Sequence, residues 1–120
     1  MSTQEIAMNL VNWFNKGEES KCIEELYSPE IESIESGDGQ HDKGLEAIKK
    51  KGEWWEENFE VHSAKASEPI VADNWFATTF TMDTTHKPSG NRSTMKEIAI
   101  YRVKDGKIVR EEFFYDQEGA

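Results

Sequence analysis

Two glutamates near the C-terminus, Glu97 and Glu111, are the residues whose type and spacing best suit chemistry. They lie in two β-rich runs separated by Lys104-Asp105-Gly106, and Asp-Gly between such runs signals a hairpin. Two registers are open. A two-residue Asp105-Gly106 turn sets Lys104 opposite Lys107. A three-residue turn, with Gly106 left-handed in a bulge, sets Val103 opposite Lys107, and it is favoured because Lys-Asp suits a type I turn. In that register one face carries Met95, Glu97, Ala99, Tyr101 and Val103 beside Val109, Glu111, Phe113 and Tyr115. Ile98, Ile100, Ile108 and Phe114 fall on the other. Glu97 then lies opposite Phe113 and Ala99 opposite Glu111, so the two carboxylates are diagonal neighbours about 7–8 Å apart at the backbone. Like charges at that spacing must be solvated, paired or protonated. With Ala99 and Tyr115 beside them they form the kind of group that moves protons. The competing reading is a wet sheet face neutralised by neighbouring lysines.

Both faces mix large apolar groups with charges, whereas a sheet with one wet face alternates more cleanly. Both are therefore expected to be covered, one by helices around a cavity and one by another sheet or a second subunit. Upstream, Ser2 and Glu5 read as a capping box, followed by Ile6, Leu10, Val11, Trp13 and Phe14 on one helical face. A short helix runs from about Glu19 to Tyr27 and stops before Pro29. A short strand over 31–36 leads to a polar loop. A third helix over 44–59 carries Leu45, Ile48, Trp55 and Phe59 as its apolar stripe, with Trp54 about 100° round from Trp55. A strand over 61–73, interrupted at Glu68-Pro69, belongs at a sheet edge or carries a bulge there. The next strand, over 75–85, places Phe76, Thr78, Phe80 and Met82 on one face.

At 120 residues the chain is expected to form one domain, 1–120, with a core and room for one pocket. Its net charge of −10 disfavours nucleic acid and anionic membrane as partners. One cysteine, Cys22, precludes an internal disulfide and reads as a small core filler. The start, MSTQEIAMNL, lacks a signal peptide's basic and apolar regions, and no apolar run approaches a membrane span, so a cytoplasmic location is expected. There is no Gly-rich phosphate loop, paired-cysteine metal site, Gly-x-Ser-x-Gly elbow or HExxH. Asp38, His41 and Asp42 match no metal motif and read as a solvated loop, and His62, a conceivable general base, reads as a surface or structural residue. The expected chemistry needs no metal or cofactor.

Three stretches carry a family resemblance: Leu26-Tyr27 at a helix end followed by the 31–35 strand, Gly44-Leu45-Glu46-Ala47-Ile48 at a helix start, and Tyr101-Arg102-Val103-Lys104-Asp105-Gly106-Lys107-Ile108. Together with the order of elements they make the whole chain resemble the SnoaL-like branch of the nuclear-transport-factor-2-like superfamily. The resemblance implies an α+β fold: a cone-shaped, strongly bent antiparallel sheet packed on three N-terminal helices around a central cavity. It also implies homodimerisation through the outer sheet face. The superfamily includes ketosteroid isomerases, polyketide cyclases, dehydratases and plain binding modules, so fold alone does not set the activity. Counted from Tyr27, the isomerase base falls on Glu35. The isomerase's oxyanion-hole tyrosine falls near Val11 and its protonated aspartate near Ala99, which argues against steroid isomerisation.

The reading is a cavity for a small, partly apolar molecule. Glu35 is the base, Glu97 and Glu111 the acid or electrostatic partner, and Tyr115 a hydrogen-bond donor. Trp55, Phe76, Phe80, Met95 and Phe113 are the walls. The alternative is a non-catalytic binding or interaction module of the same fold.

Overall fold

The computed structural model describes residues 1–116. Helix α1 spans Thr3–Asn15, α2 Glu19–Leu26 and α3 Leu45–Asn58. The strands are β1 Tyr27–Glu35, β2 His41–Lys43, β3 Phe59–Ala66, β4 Ile70–Ala72, β5 Trp75–His86, β6 Asn91–Lys104 and β7 Lys107–Phe114. They form one seven-stranded sheet ordered β2-β1-β7-β6-β5-β3, with β4 also on β5. One pair departs from the all-antiparallel expectation: β1 runs parallel to β7. The chain reaches β1 from α2 with no intervening loop, so β1 starts at Tyr27 rather than at 31. Its pairing with β7 slips between Tyr27 and Glu32, around Pro29, which cannot donate to the ladder.

The capping box at Ser2 and Glu5 is formed, and α1 buries Ile6, Ala7, Leu10 and Val11. Asn15, at the end of α1, donates to the Ala66 carbonyl at 3.2 Å and accepts from the Ala66 N–H at 2.7 Å, tying the helix to β3. Phe14 packs on Phe80 with ring centroids 4.5 Å apart. Helix α1 therefore covers the β5 side of the sheet's inner face. Helix α3 crosses the β1 side, capped by Gly44 at φ +90°.

The hairpin corrects the favoured register. Lys104 pairs with Lys107 across a two-residue turn, with Asp105 at φ 52° and Gly106 at φ 75°, the mirror-image turn that matches strand twist. Alone, that turn would set odd positions of β6 against even positions of β7. The pairing then jumps from Val103↔Ile108 to Arg102↔Arg110, leaving Val109 as an extra residue. The bulge restores odd against odd, so the expected faces survive beyond it, and Ile108 moves to the inner face, where it is fully buried. Tyr101 now faces Glu111 and Ala99 faces Phe113. Glu97 and Glu111 are thus not diagonal neighbours; Glu97 sits four residues, about 13 Å of strand, from the partner of Glu111.

Candidate functional site

The inner face is built in rows across the sheet. Ser33, Glu111, Tyr101 and Phe76 pair in sequence across β1, β7, β6 and β5, and all four are buried. The next row is Glu35, Phe113, Ala99 and Thr78; further out lie Glu97 beside Phe80, then Met95 beside Met82. Between these rows and α3 lies a cavity of about 620 Å³. Glu35, Glu97, Glu111, Tyr115, Trp55, Met95 and Phe113 all line it. Phe76 and Phe80 do not, which corrects their expected place. Phe76 stacks on Tyr101 at 4.6 Å and Phe80 packs on Phe14, so both are core. They face inward as expected, but Phe14 of α1 fills the space in front of Phe80, and Phe76 is closed off against Tyr101.

The wall includes residues the sequence reading did not assign, among them Tyr27, Lys51, Trp54, Phe59 and Asp38. Lys51 is the most consequential. Its Nζ lies 3.3 Å from Glu35 Oε1, donates to Ser33 Oγ at 3.0 Å and sits 5.2 Å from the centre of the Phe113 ring. Ser33 Oγ in turn donates to Glu111 Oε2 at 2.7 Å, and the Tyr27 hydroxyl donates to Glu111 Oε1. A continuous polar chain therefore runs Tyr27–Glu111–Ser33–Lys51–Glu35. The signal for Lys51 was present only as position: it is one turn before Trp54 and Trp55 and one turn after Ile48 on α3.

The three glutamates differ in environment. Glu111 is 4 % exposed; burial raises its carboxyl above the usual range, and the Tyr27 and Ser33 hydroxyls partly offset that. Burial also raises Glu35, against the nearby Lys51 charge, and Glu35 Oε2 is buried with no hydrogen-bond partner among the described residues. Glu97 has no hydrogen-bond donor among the described residues. Burial first, and the Glu35 charge second, push it up to about 7. Burial, with Glu35 next, pushes the Tyr115 hydroxyl up to about 12, so it remains a donor. Trp55 stacks on Phe59 at 4.3 Å, while Trp54 is 56 % exposed at the rim.

The remaining polar candidates, apart from Asp38, lie outside the cavity wall. Cys22 is buried against the Leu10 carbonyl at 3.6 Å, and burial pushes its thiol up to about 12, as suits a core filler. His62 is exposed and bonded to Thr85 at 2.7 Å. In the polar loop, Asp38 and Asp42 accept from Gln40 while His41 lies against Glu32, and no metal-holding group of three acidic, His or Cys residues occurs among the described residues. No described helix is long and apolar enough to cross a membrane. A hollow of about 880 Å³ on the convex face is larger but more open. Several of its charges are already paired, as in Arg110 with Glu32 at 3.7 Å and with Glu112 at 3.3 Å, and Arg102 stacks over Trp75.

A curved sheet closed by three helices over an acidic, aromatic cavity is the architecture of the cone-fold proteins. The chain belongs to the SnoaL-like domain family, whose model matches residues 1–115. It is similar to a proposed SnoaL-like polyketide cyclase from Mesorhizobium loti, with 37 % identity over 96 % of this chain and 100 % of that one and a TM-score of 0.91. A proposed polyketide cyclase from Pseudomonas putida shares the fold at 17 % identity, covering 98 % of this chain and 93 % of that one with a TM-score of 0.76. So does a Catenulispora acidiphila protein of ketosteroid isomerase-like fold, solved with trimethylamine, at 13 % identity, 94 % and 86 % coverage and a TM-score of 0.76. No curated protein matches the chain.

Proposed function

We propose that the cavity binds a small, partly apolar molecule and catalyses cofactor-free proton transfer on it, of the kind used by isomerases, cyclases and dehydratases. One observation carries this reading: three glutamates in three different environments converge on one cavity whose remaining wall is largely aromatic and aliphatic. Glu97 is the base. It lacks a hydrogen-bond donor, and it titrates near neutrality, where a carboxyl both takes and returns a proton. Glu35, which its position in the family marks as base, is held on Lys51 and instead tunes Glu97. Glu111 anchors the polar chain behind it. For an enolisable carbonyl compound, Glu97 takes the proton from the carbon beside the carbonyl. The bonding pair moves into the enolate, and the Tyr115 hydroxyl donates to the oxygen as charge develops. Return of the proton to another carbon gives the isomer.

Nuclear magnetic resonance of 2-tetralone and related cyclic ketones in heavy water tests this. The protein is expected to speed deuterium incorporation beside the carbonyl, and Glu97→Gln to abolish the effect. Binding without exchange across the panel would leave a non-catalytic binding module. The convex face supports pairing with a second copy, because Ile98 and Phe114 are cross-strand partners and stand 49 % and 37 % exposed. Sedimentation of the wild type against Ile98→Lys reads this directly: the variant is expected to sediment as the lighter species, and equal sedimentation of the two overturns the pairing.

A further inference from the structure

The cavity is short of positive charge. Four of its lining residues are acidic, Glu35, Asp38, Glu97 and Glu111, against a single cation, Lys51. That cation is already committed to Glu35 Oε1 and Ser33 Oγ. What remains is an unusual pair of acceptors. Among the described residues Glu35 Oε2 is buried without a partner, and the partly exposed Glu97 receives no side-chain or backbone donor. Buried carboxylate oxygens are ordinarily hydrogen-bonded, and an unmatched one costs more than a made bond returns. A ligand that brings an N–H donor would match these acceptors. Around these oxygens stand π-faces, with Trp55 stacked on Phe59, Trp54 at the rim and Phe113 against Glu35. Aromatic faces beside carboxylates attract a cation with an apolar body.

We propose that the ligand of this cavity is a protonated amine: an ammonium group carrying at least one N–H, set between Glu35 and Glu97, on an apolar body seated against Trp55, Phe59 and Phe113. The proposal rests on the cavity being the ligand site, and it narrows the partly apolar substrate class of that reading to cationic amines. Several further facts agree. The chain's net charge of −10 favours the approach of cations and opposes anions. A cavity of about 620 Å³ suits a molecule of two fused rings or the like. Burial is the main cause of the raised titration of Glu97, and the neighbouring Glu35 and Glu111 charges add to it while Lys51 on α3 only partly offsets them. An arriving ammonium makes up that deficit and expels the Glu97 proton to solvent.

Three probes of one shape separate the possibilities: 2-(2-naphthyl)ethylamine, 2-(2-naphthyl)ethanol and 3-(2-naphthyl)propionate, a cation, a neutral molecule and an anion. Binding to the wild-type protein is followed by isothermal titration calorimetry. The amine is expected to bind at least tenfold more tightly than the alcohol, and the propionate more weakly than either. The ionised fraction of Glu97 rises about tenfold between pH 6 and pH 8 while an alkylamine stays protonated, so the amine's affinity should rise by about that factor. At pH 7, titrations in buffers of different ionisation enthalpy should report about half a proton released per amine bound. Glu97→Gln should remove both the pH dependence and the proton release of amine binding. If the alcohol binds as tightly as the amine, or the propionate binds best, the amine proposal is overturned and the cavity reading stands. If none of the three binds, both fall.

Discussion

Replacing Glu97 by glutamine should make the protein more stable at neutral and alkaline pH. The carboxyl is raised from its usual 4.5 to about 7. Between those values the folded state holds a proton that the unfolded state has released, so stability falls as pH rises through this window and stays low above it. At about 1.4 kcal/mol per pH unit the full loss is about 3 kcal/mol, an upper value because the side chain is partly exposed. Glutamine keeps the shape and hydrogen-bonding capacity without the charge. In urea denaturation Glu97→Gln is therefore expected to match the wild type near pH 4.5 and to exceed it by about 1–3 kcal/mol at pH 8. For a chain of this size that is on the order of 10 °C in Tm. The comparison with wild type isolates Glu97 from Glu35 and Glu111, whose raised carboxyls contribute slopes of the same sign. A difference between the two proteins that is the same at pH 4.5 and pH 8 would refute the reasoning, because it would mean that Glu97 is ionised with no penalty. Such stabilisation on losing a polar group is a known cost of sites that hold unfavourable charge for function.

Other perturbations probe the rest of the site and its frame. Tyr27→Phe strips a hydroxyl donor from buried Glu111 and should cost about 1–3 kcal/mol in urea denaturation, more at pH 8 than at pH 5, because the donor favours the ionised carboxylate. Lys51→Met should raise the titrations of Glu35 and Glu97 further, moving Glu97 above 7 when the side-chain carboxyl carbons are followed by ¹³C resonance; unchanged titrations would remove Lys51 from the site. Phe80→Ala should cost about 3–5 kcal/mol, whereas Trp55→Ala should chiefly weaken ligand binding, since one side chain is core and the other cavity wall. Gly106→Ala places a β-carbon on a left-handed residue and should cost about 1 kcal/mol without altering the cavity's titrations.

Local signals in the chain determined much of the framework. The capping box, the helical stripe of α1, the turn residues and the period-two alternation of β5, β6 and β7 each depend on neighbours a few positions away. They marked Glu97, Glu111, Phe113 and Tyr115 as sharing one face. They did not determine where along that face each residue would stand. The mirror-image turn and the bulge at Val109 trade one residue between them, a choice decided by sheet twist and by burying Ile108. That choice moved Glu111 away from Glu97 and beneath Tyr101. Phe76 and Phe80 show the same divide, since alternation turned them inward but only tertiary packing, Phe80 under α1 and Phe76 on Tyr101, made them core. The cavity's charge balance was least legible of all. Glu35, Lys51 and Glu111 come from β1, α3 and β7, and electrostatic coupling depends on distance through space. Only the parallel pairing of β1 with β7 and the crossing of α3 above them set that distance.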